Sequence, residues 1–183
     1  NLEFQEPLQM QRYQAPRGGQ KDFYIPHFDW IPSRPRVATM LIYLEDVEEG
    51  GETIFPLVRL NTTARNGQHY NREQAETLAV SLWNAGICDI PAADRIWLGM
   101  TPKKGSAVLF YSLNPGGKMD ALSIHGSCPV IKGRKTVLQQ WLSSIWMAPV
   151  YSPDIQALYR YPKWDSKSVL CLDSSGNNRP LVR

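Results

Sequence analysis

The sequence predicts a mainly β fold with helical trimming and a double-stranded β-helix, or jelly-roll, core. Two observations predict it: short apolar runs recur along the chain, and Gly- and Pro-rich turns separate them. The 183 residues are 43% hydrophobic and 20% charged, which is typical of a globular protein and not of a disordered one. We therefore expect a single domain over residues 1–183.

The predicted elements follow in chain order. Residues 15–22 contain Pro and Gly and predict a loop. Residues 57–98 differ in character from the predicted strands, and we interpret them as an insertion rather than core. Within them, NREQAETLAVSLWNAG predicts a short helix that ends at Gly86. From about residue 149, prolines and scattered aromatics predict a tail that lies over the body. Runs of apolar and β-branched residues predict strands at 36–47, 106–113, 121–126 and 135–142.

Charge and composition exclude several classes of protein. The formal net charge of +3 comes without a Lys/Arg cluster, so we expect no nucleic-acid partner. No apolar run approaches the roughly 20 residues of a transmembrane helix, and no signal peptide opens the chain. Because the first residue is Asn1 and not Met, we expect a trimmed piece of a longer protein.

Cysteines and one sequon bear on the compartment. The cysteines Cys88, Cys128 and Cys171 form no Cys-x-x-Cys pair, so a structural zinc site is not expected. One disulfide plus a free thiol is compatible with three cysteines, and the residues alone do not assign the pair. Asn61-Thr62-Thr63 is a glycosylation sequon, which matters only in the secretory pathway.

The stretch YIPHFDW, residues 24–30, carries the first chemical signal. Residues i and i+2 of a strand project to the same face, so His27 and Asp29 offer an imidazole and a carboxylate to one metal ion. A second histidine from another strand, for which His125 is the candidate, completes a facial triad suited to Fe(II). His69 lies among polar residues and predicts a surface position. Taken alone, a His-x-Asp pair more often indicates a histidine that is satisfied within the fold or faces solvent.

A lysine on the next predicted strand points to an anionic ligand. In KTVLQQWL, the side chains of Lys135, Val137, Gln139 and Trp141 share one face. A lysine inside an apolar barrel needs an anionic partner, because a buried unpaired ammonium is costly. A dicarboxylate cosubstrate provides one, whereas the alternative is a solvated charge at a strand end.

Four blocks of the chain resemble one enzyme family. The blocks 13–29, 36–56, 99–115 and 122–142 occur in family order, and YLEDVEEGGETIFP within them is highly specific. They resemble the collagen-type prolyl 4-hydroxylases, which are dioxygenases dependent on 2-oxoglutarate and Fe(II). The resemblance covers about two-thirds of the chain.

The resemblance implies roles for individual residues. It implies that His27, Asp29 and His125 bind iron and that Lys135, helped by hydroxyls of Tyr13 and Thr53, binds the distal carboxylate of 2-oxoglutarate. By the same resemblance Tyr24, Arg36 and Trp141 line a peptide groove, and Cys88 and Cys128 match a pair that is bridged in some members. The residue types alone favour plainer roles for three of them: a turn for Thr53, core packing for Trp141 and a rim charge for Arg36.

The function that the resemblance implies is hydroxylation of C4 of peptidyl proline in proline-rich or collagen-like proteins. Fe(II), 2-oxoglutarate and ascorbate are the implied cofactors, and succinate and CO2 the coproducts. The expected partner is a proline-rich peptide, with any partner subunit unknown. We expect the endoplasmic reticulum lumen or secretory pathway, with the cytoplasm as the alternative. The alternative functions are an oxygenase acting on another side chain or a free amino acid, and a catalytically silent binding module.

Overall fold

The computed structural model describes residues 6–16, 18–32, 35–60 and 70–143, and the backbone of Val169–Leu172 and Asn178–Arg179. Predictions for the sequon at Asn61, for His69 and for most of the tail from about residue 149 fall outside these residues. The described elements, in chain order, are β1 (Gln9–Gln14), β2 (Tyr24–His27), β3 (Arg36–Tyr43), β4 (Glu49–Gly50), β5 (Thr53–Arg59), α1 (Arg72–Asn84), β6 (Trp97–Met100), β7 (Ala107–Tyr111), β8 (His125–Ser127), β9 (Val130–Lys132), β10 (Arg134–Ser143), β11 (Val169–Leu172) and β12 (Asn178–Arg179).

The strands form two main antiparallel sheets. One has the order β1-β10-β3-β7-β11-β12 and the other the order β2-β8-β5-β6, while β4 pairs with β9. The chain crosses between the sheets from β2 to β3, returns at β5 and β6, and crosses again at β7, β8 and β10. Eight strands therefore wind back and forth as two sheets of four, with β11 and β12 extending one edge. The predicted mainly β fold with a double-stranded β-helix core is confirmed.

Side chains from both sheets fill the core between them. Phe55 of β5 and Phe110 of β7 are fully buried, and their rings meet edge to face with centroids 5.2 Å apart. Leu41 of β3 and Val137 of β10 join the same cluster. Burial of each such aromatic contributes about 1.5–3 kcal/mol, so the strands that carry the site residues are held by the core itself.

The predicted helix is confirmed, and its expected separation from the core is wrong. Helix α1 begins after Asn71, whose side chain accepts from the backbone N–H of Gln74 while the Gln74 side chain accepts from the N–H of Asn71. Its small residues Ala75 and Ala79 are completely buried. They pack in a cluster with Phe28, the residue between His27 and Asp29. The helix thereby supports the loop that carries the candidate site.

Two strand predictions need correction, and other strands were not predicted. Residues 121–126 are a 3-10 turn at Ala121–Ser123 followed by β8, because Asp120 caps the turn by accepting from the N–H of Leu122. Strand β3 ends at Tyr43 rather than Val47. Strand β1 has the polar sequence QMQRYQ and β5 contains Pro56, and both features hide a strand from pattern reasoning.

Candidate metal centre and cosubstrate cavity

Three side chains converge where β2 meets β8. His27, the last residue of β2, lies opposite His125, the first residue of β8, in the antiparallel register. His27 Nε2 lies 3.7 Å from Asp29 Oδ1, and His125 Nε2 lies 3.8 Å from Asp29 Oδ2. One potential ligand atom from each residue lies within 4.8 Å of the other two.

Asp29 reaches this position by a route that the strand rule did not predict. Strand β2 ends at His27, so Asp29 belongs to the bend that leads toward β3 and not to a strand shared with His27. Phe28 turns into the core beside α1, and this turn leaves both neighbours facing the same point. The expected pairing of the two side chains is present, but its cause is the anchoring of Phe28.

Backbone carbonyls orient both imidazoles. His27 Nδ1 lies 2.9 Å from the carbonyl oxygen of Ile25, and His125 Nδ1 lies 3.0 Å from that of Ser123. A carbonyl oxygen only accepts, so each Nδ1 carries the proton and each Nε2 presents a lone pair toward Asp29. This is the tautomer that metal-binding histidines adopt.

The charge states suit a cation. Although burial alone raises the pKa of Asp29, the imidazole of His125 and the hydroxyl of Thr39, which donates to Asp29 Oδ2 over 2.6 Å, together hold it below its ordinary value. The indole of Trp141 also contributes to this lowering. Burial, reinforced by His125, lowers the pKa of His27 to about 4. At neutral pH the site therefore offers a carboxylate and an uncharged His27 imidazole.

These residues fit an iron ion. Separations of 3.7 and 3.8 Å are too long for hydrogen bonds, yet they suit donor atoms that share one ion. Two imidazoles and one carboxylate on one side, facing a cavity, form the donor set of non-haem Fe(II) oxygenases. Thr39, with its bond to Asp29, supplies the outer support that such ligands need.

Lys135 lies in the same cavity and is 2% exposed. Its ammonium donates to Ser127 Oγ over 2.7 Å and to Thr53 Oγ1 over 3.2 Å. Among the described residues, no carboxylate oxygen lies within 4.0 Å of this nitrogen. Burial lowers the pKa of Lys135 to about 7. The charge of Glu52 opposes this lowering only in part. A buried ammonium whose hydrogen bonds go to hydroxyls, and that has no carboxylate in direct contact, is a site for an anion.

The Thr53 hydroxyl beside Lys135 accepts two hydrogen bonds. Tyr43 donates to Thr53 Oγ1 over 2.8 Å, so that oxygen accepts from both Tyr43 and Lys135 and directs its own proton elsewhere. Sequence reasoning included Thr53 but missed Tyr43 and Ser127. Ser127 follows His125 by two residues on β8, and the rule that paired His27 with Asp29 would have found it.

Tyr13 faces the same region but makes a different contact. It pairs with Lys135 in the β1–β10 register, and its ring centroid lies 5.3 Å from the lysine nitrogen. The hydroxyl donates to Gln11 Oε1 over 2.8 Å rather than toward the position of a distal carboxylate. Burial raises the pKa of Tyr13 to about 12, so the phenol stays protonated at neutral pH.

The residues assigned to a peptide groove line the same cavity of about 370 Å³. Tyr24 is 46% exposed, and its ring meets that of His27 edge to face at 4.4 Å. Arg36 stacks over the Trp141 ring at 3.6 Å. Its guanidinium donates to both carboxylate oxygens of Glu6 over 2.7 and 2.8 Å. Arg36 is therefore a paired side chain that positions Trp141, rather than a rim charge.

A disulfide joins Cys88, shortly after α1, to Cys128, the residue after β8. Cys128 and Ile87 share a buried cluster. The bridge ties the helical region to the strand that carries His125 and Ser127.

The chain is similar to proteins of one enzyme superfamily. The family model described as the 2OG-Fe(II) oxygenase superfamily matches residues 8–143. Probable prolyl 4-hydroxylase 3 of Arabidopsis thaliana is 36% identical over 149 residues, which are 78% of this chain and 42% of that protein. Prolyl 4-hydroxylase 5 of the same plant is 36% identical over 148 residues, 77% of this chain and 41% of that protein. The resemblance to prolyl 4-hydroxylases is confirmed.

The curated relatives are longer than this chain. The chain spans less than half the length of the curated relatives it matches. A solved structure, the viral collagen prolyl hydroxylase of Paramecium bursaria Chlorella virus-1 in complex with 2OG, is 25% identical, with a TM-score of 0.47 and coverage of 76% of this chain and 60% of that one. No helix among the described residues is long and apolar enough to cross a membrane.

Proposed function

This chain belongs to the 2OG-Fe(II) oxygenase superfamily, and we propose that it hydroxylates C4 of peptidyl proline in proline-rich or collagen-like proteins. The names of the plant relatives, prolyl 4-hydroxylases, support this choice of substrate. Fe(II) serves as the metal and 2-oxoglutarate as the cosubstrate, with succinate and CO2 as coproducts. The substrate is a peptide segment, held in the cavity that contains the iron ligands.

One observation carries the assignment of the cosubstrate: the buried Lys135 donates to Ser127, which lies on the same short strand as the candidate metal ligand His125. Ser127, which accepts from Lys135, follows the ligand His125 by two residues on β8. Two residues of a strand span about 6.6 Å, comparable to the length of a five-carbon diacid. A 2-oxoglutarate molecule whose far carboxylate pairs with Lys135 therefore has its keto acid end near the metal centre.

The residues of the chain supply binding and orientation. His27, Asp29 and His125 would hold Fe(II), and the metal and 2-oxoglutarate together supply the oxidative chemistry with dioxygen. Lys135 anchors the distal carboxylate by a charge-assisted hydrogen bond in a site shielded from water. The hydroxyl of Thr53 directs its proton to the same carboxylate.

A proline-rich segment would lie toward Tyr24 and Trp141. Such segments favour the polyproline II conformation, in which the proline rings can pack on aromatic side chains. The exposed ring of Tyr24, in contact with His27, offers such a surface beside the metal centre. Arg36 holds the Trp141 ring in place by stacking.

We also propose ascorbate as a supporting reductant and the endoplasmic reticulum lumen or secretory pathway as the compartment. The Cys88–Cys128 bridge supports this compartment over the cytoplasm, because disulfides persist where the surroundings are oxidising.

The test is succinate release from 2-oxoglutarate in the presence of Fe(II) and ascorbate, with and without a proline-rich peptide. We expect peptide-dependent succinate and a peptide mass gain of about 16 Da, the mass of one oxygen atom. A matched peptide with alanine in place of the target prolines, and free proline, are the controls. Succinate without peptide hydroxylation would indicate an oxygenase with another substrate. Bound Fe(II) without any succinate would indicate a silent binding module.

A further inference from the structure

The oxygen of a buried amide at the cavity has no hydrogen-bond partner among the described residues. Gln139 is 4% exposed and lines the cavity, yet its Oε1 has no partner among the described residues. Of the buried polar atoms left unpaired in the described part of the chain, Gln139 Oε1 and Trp141 Nε1 are the two whose residues line this cavity. Leaving such a group unpaired costs about 1–3 kcal/mol, which a ligand would recover.

The neighbouring glutamine shows what this position lacks. Gln140 points to the opposite face of β10, where its Nε2 donates to the carbonyl oxygens of Glu6, over 2.6 Å, and of Trp141, over 3.3 Å. Gln140 thus has hydrogen-bond partners on its face of the strand, whereas Oε1 of Gln139 has none among the described residues on the cavity face. The fold leaves the amide of Gln139 for a ligand to complete.

The position of Gln139 indicates which ligand that is. Gln139 lies four residues from Lys135 along β10, or about 13 Å, beyond the reach of a diacid anchored at Lys135. It lies two residues from Trp141, on the same face, and opposite Gln9 of the edge strand β1. This is the part of the cavity that the proposed function gives to the peptide.

We propose that Gln139 determines peptide specificity by pairing with the backbone N–H and C=O of one extended substrate residue, groups that point to the same side of the chain, an inference that rests on the proposed function. Its Oε1 accepts from a backbone N–H and its Nε2 donates to a backbone C=O of a residue beside the target proline. The terminal torsion of glutamine is broad, so the amide plane turns toward the peptide at small cost. Proline has no N–H, so the paired residue is not proline. The enzyme therefore prefers prolines alternating with other residues to uninterrupted proline runs.

The experiment pairs a protein variant with a modified substrate. Peptides with a single target proline carry an N-methyl group at each flanking residue in turn, and kcat/KM is measured for the unaltered protein and for Gln139→Met. At one flanking position we expect N-methylation to lower kcat/KM about 10-fold in the unaltered protein, because a buried acceptor then loses its donor. In Gln139→Met that penalty should shrink to less than about twofold, while the KM for 2-oxoglutarate stays the same.

Gln140→Met is the matched control. It removes the bond to the Glu6 carbonyl, so we expect a lower melting temperature with the N-methyl penalty intact. If Gln139→Met kept the full N-methyl penalty, or changed the KM for 2-oxoglutarate instead, the proposed role of Gln139 would be wrong. The proposed function would be unaffected by either result. Absence of peptide-dependent succinate in the unaltered protein would overturn the proposed function and this inference together.

Discussion

Two groups of residues in one cavity differ in how the chain supports them. The anchored set, which comprises His27, Asp29, His125 and Lys135, has a hydrogen-bond partner for every member: two backbone carbonyls, the Thr39 hydroxyl, and the hydroxyls of Thr53 and Ser127. The open pair, Gln139 and Trp141, contributes a buried acceptor without a partner among the described residues and an indole N–H that makes no well-formed hydrogen bond there, although it lies close enough to Asp29 to lower the pKa of that carboxyl.

The difference separates preorganised chemistry from recognition. Groups that bind a metal and a small diacid work best when they are fixed before the ligand arrives. Groups that bind a peptide gain selectivity by remaining unsatisfied until the right peptide completes them. Disruption of the anchored set should therefore reduce turnover of every peptide alike, and disruption of the open pair should change which peptide is used.

The largest expected effect comes from the loss of Asp29, a candidate metal ligand. Asp29→Ala removes the one carboxylate among the described candidate ligands, and we expect both Fe(II) affinity and succinate formation to fall by more than about 100-fold, since even outer-shell changes cost 10–100-fold. Fe(II) titration and a succinate assay measure the two effects. Circular dichroism should show the fold unchanged.

Asp94→Ala is the control for Asp29→Ala, because Asp94 is exposed in a 3-10 turn away from the cavity. It should retain the activity of the unaltered protein. Near-normal succinate formation by Asp29→Ala would show that the anchored set does not hold the metal.

The next effect concerns Lys135, the proposed anchor of the cosubstrate. Lys135→Met removes the buried charge, and we expect the Kd for 2-oxoglutarate to rise roughly 30-fold or more, since truncating one partner of a buried charge pair costs at least about 2 kcal/mol. Without ligand, the variant should melt no lower than the unaltered protein, because an uncompensated buried ammonium is unfavourable. Calorimetric titration and thermal melting measure both.

Lys132→Met removes the same charge from an exposed side chain that pairs with Glu48 on the surface. It should leave 2-oxoglutarate binding unchanged. Unchanged binding in Lys135→Met as well would remove Lys135 from the anchored set.

The sequence predicted which residues form the anchored set, but it did not predict how they are arranged in space. The i, i+2 spacing and the family resemblance together selected His27, Asp29 and His125. That Asp29 lies in a bend depends on Phe28 packing beside α1, a contact between segments that are distant in the chain. Ser127 was within reach of the spacing rule, whereas Thr39 comes from β3 and no local pattern links it to Asp29.

The open pair shows a different limit. Strand alternation predicted that Gln139 and Trp141 share a face with Lys135, and all three line the cavity. No sequence pattern predicted that Gln139 lacks a partner while Gln140 has one, because the difference depends on Glu6 at the far end of the chain. Strand β1, which brings Gln9 beside Gln139, was itself not predicted, because its polar sequence hides the alternation.

The smallest expected effect is a pH dependence that belongs to the anchored set alone. Burial lowers the pKa of Lys135 to about 7 in the ligand-free protein, so at pH 8 only about a tenth of these side chains carry charge. A bound carboxylate favours the charged form. Binding of 2-oxoglutarate should therefore take up close to one proton at pH 8 and little at pH 6, and its affinity should fall about tenfold per pH unit above 7.

Calorimetry of 2-oxoglutarate binding in buffers of different ionisation enthalpy counts these protons, and Lys135→Met should show none of this uptake.

The lowered pKa of Lys135 also determines the direction in which the free energy of unfolding changes with pH. Between pH 7 and the ordinary lysine pKa, the unfolded chain holds a proton that native Lys135 lacks, so the Lys135 contribution to the free energy of unfolding rises with pH in this window. Peptide discrimination by Gln139, an uncharged amide, should stay constant over the same range. If the N-methyl penalty instead followed the protonation of Lys135, the anchored set and the open pair would act as one coupled site.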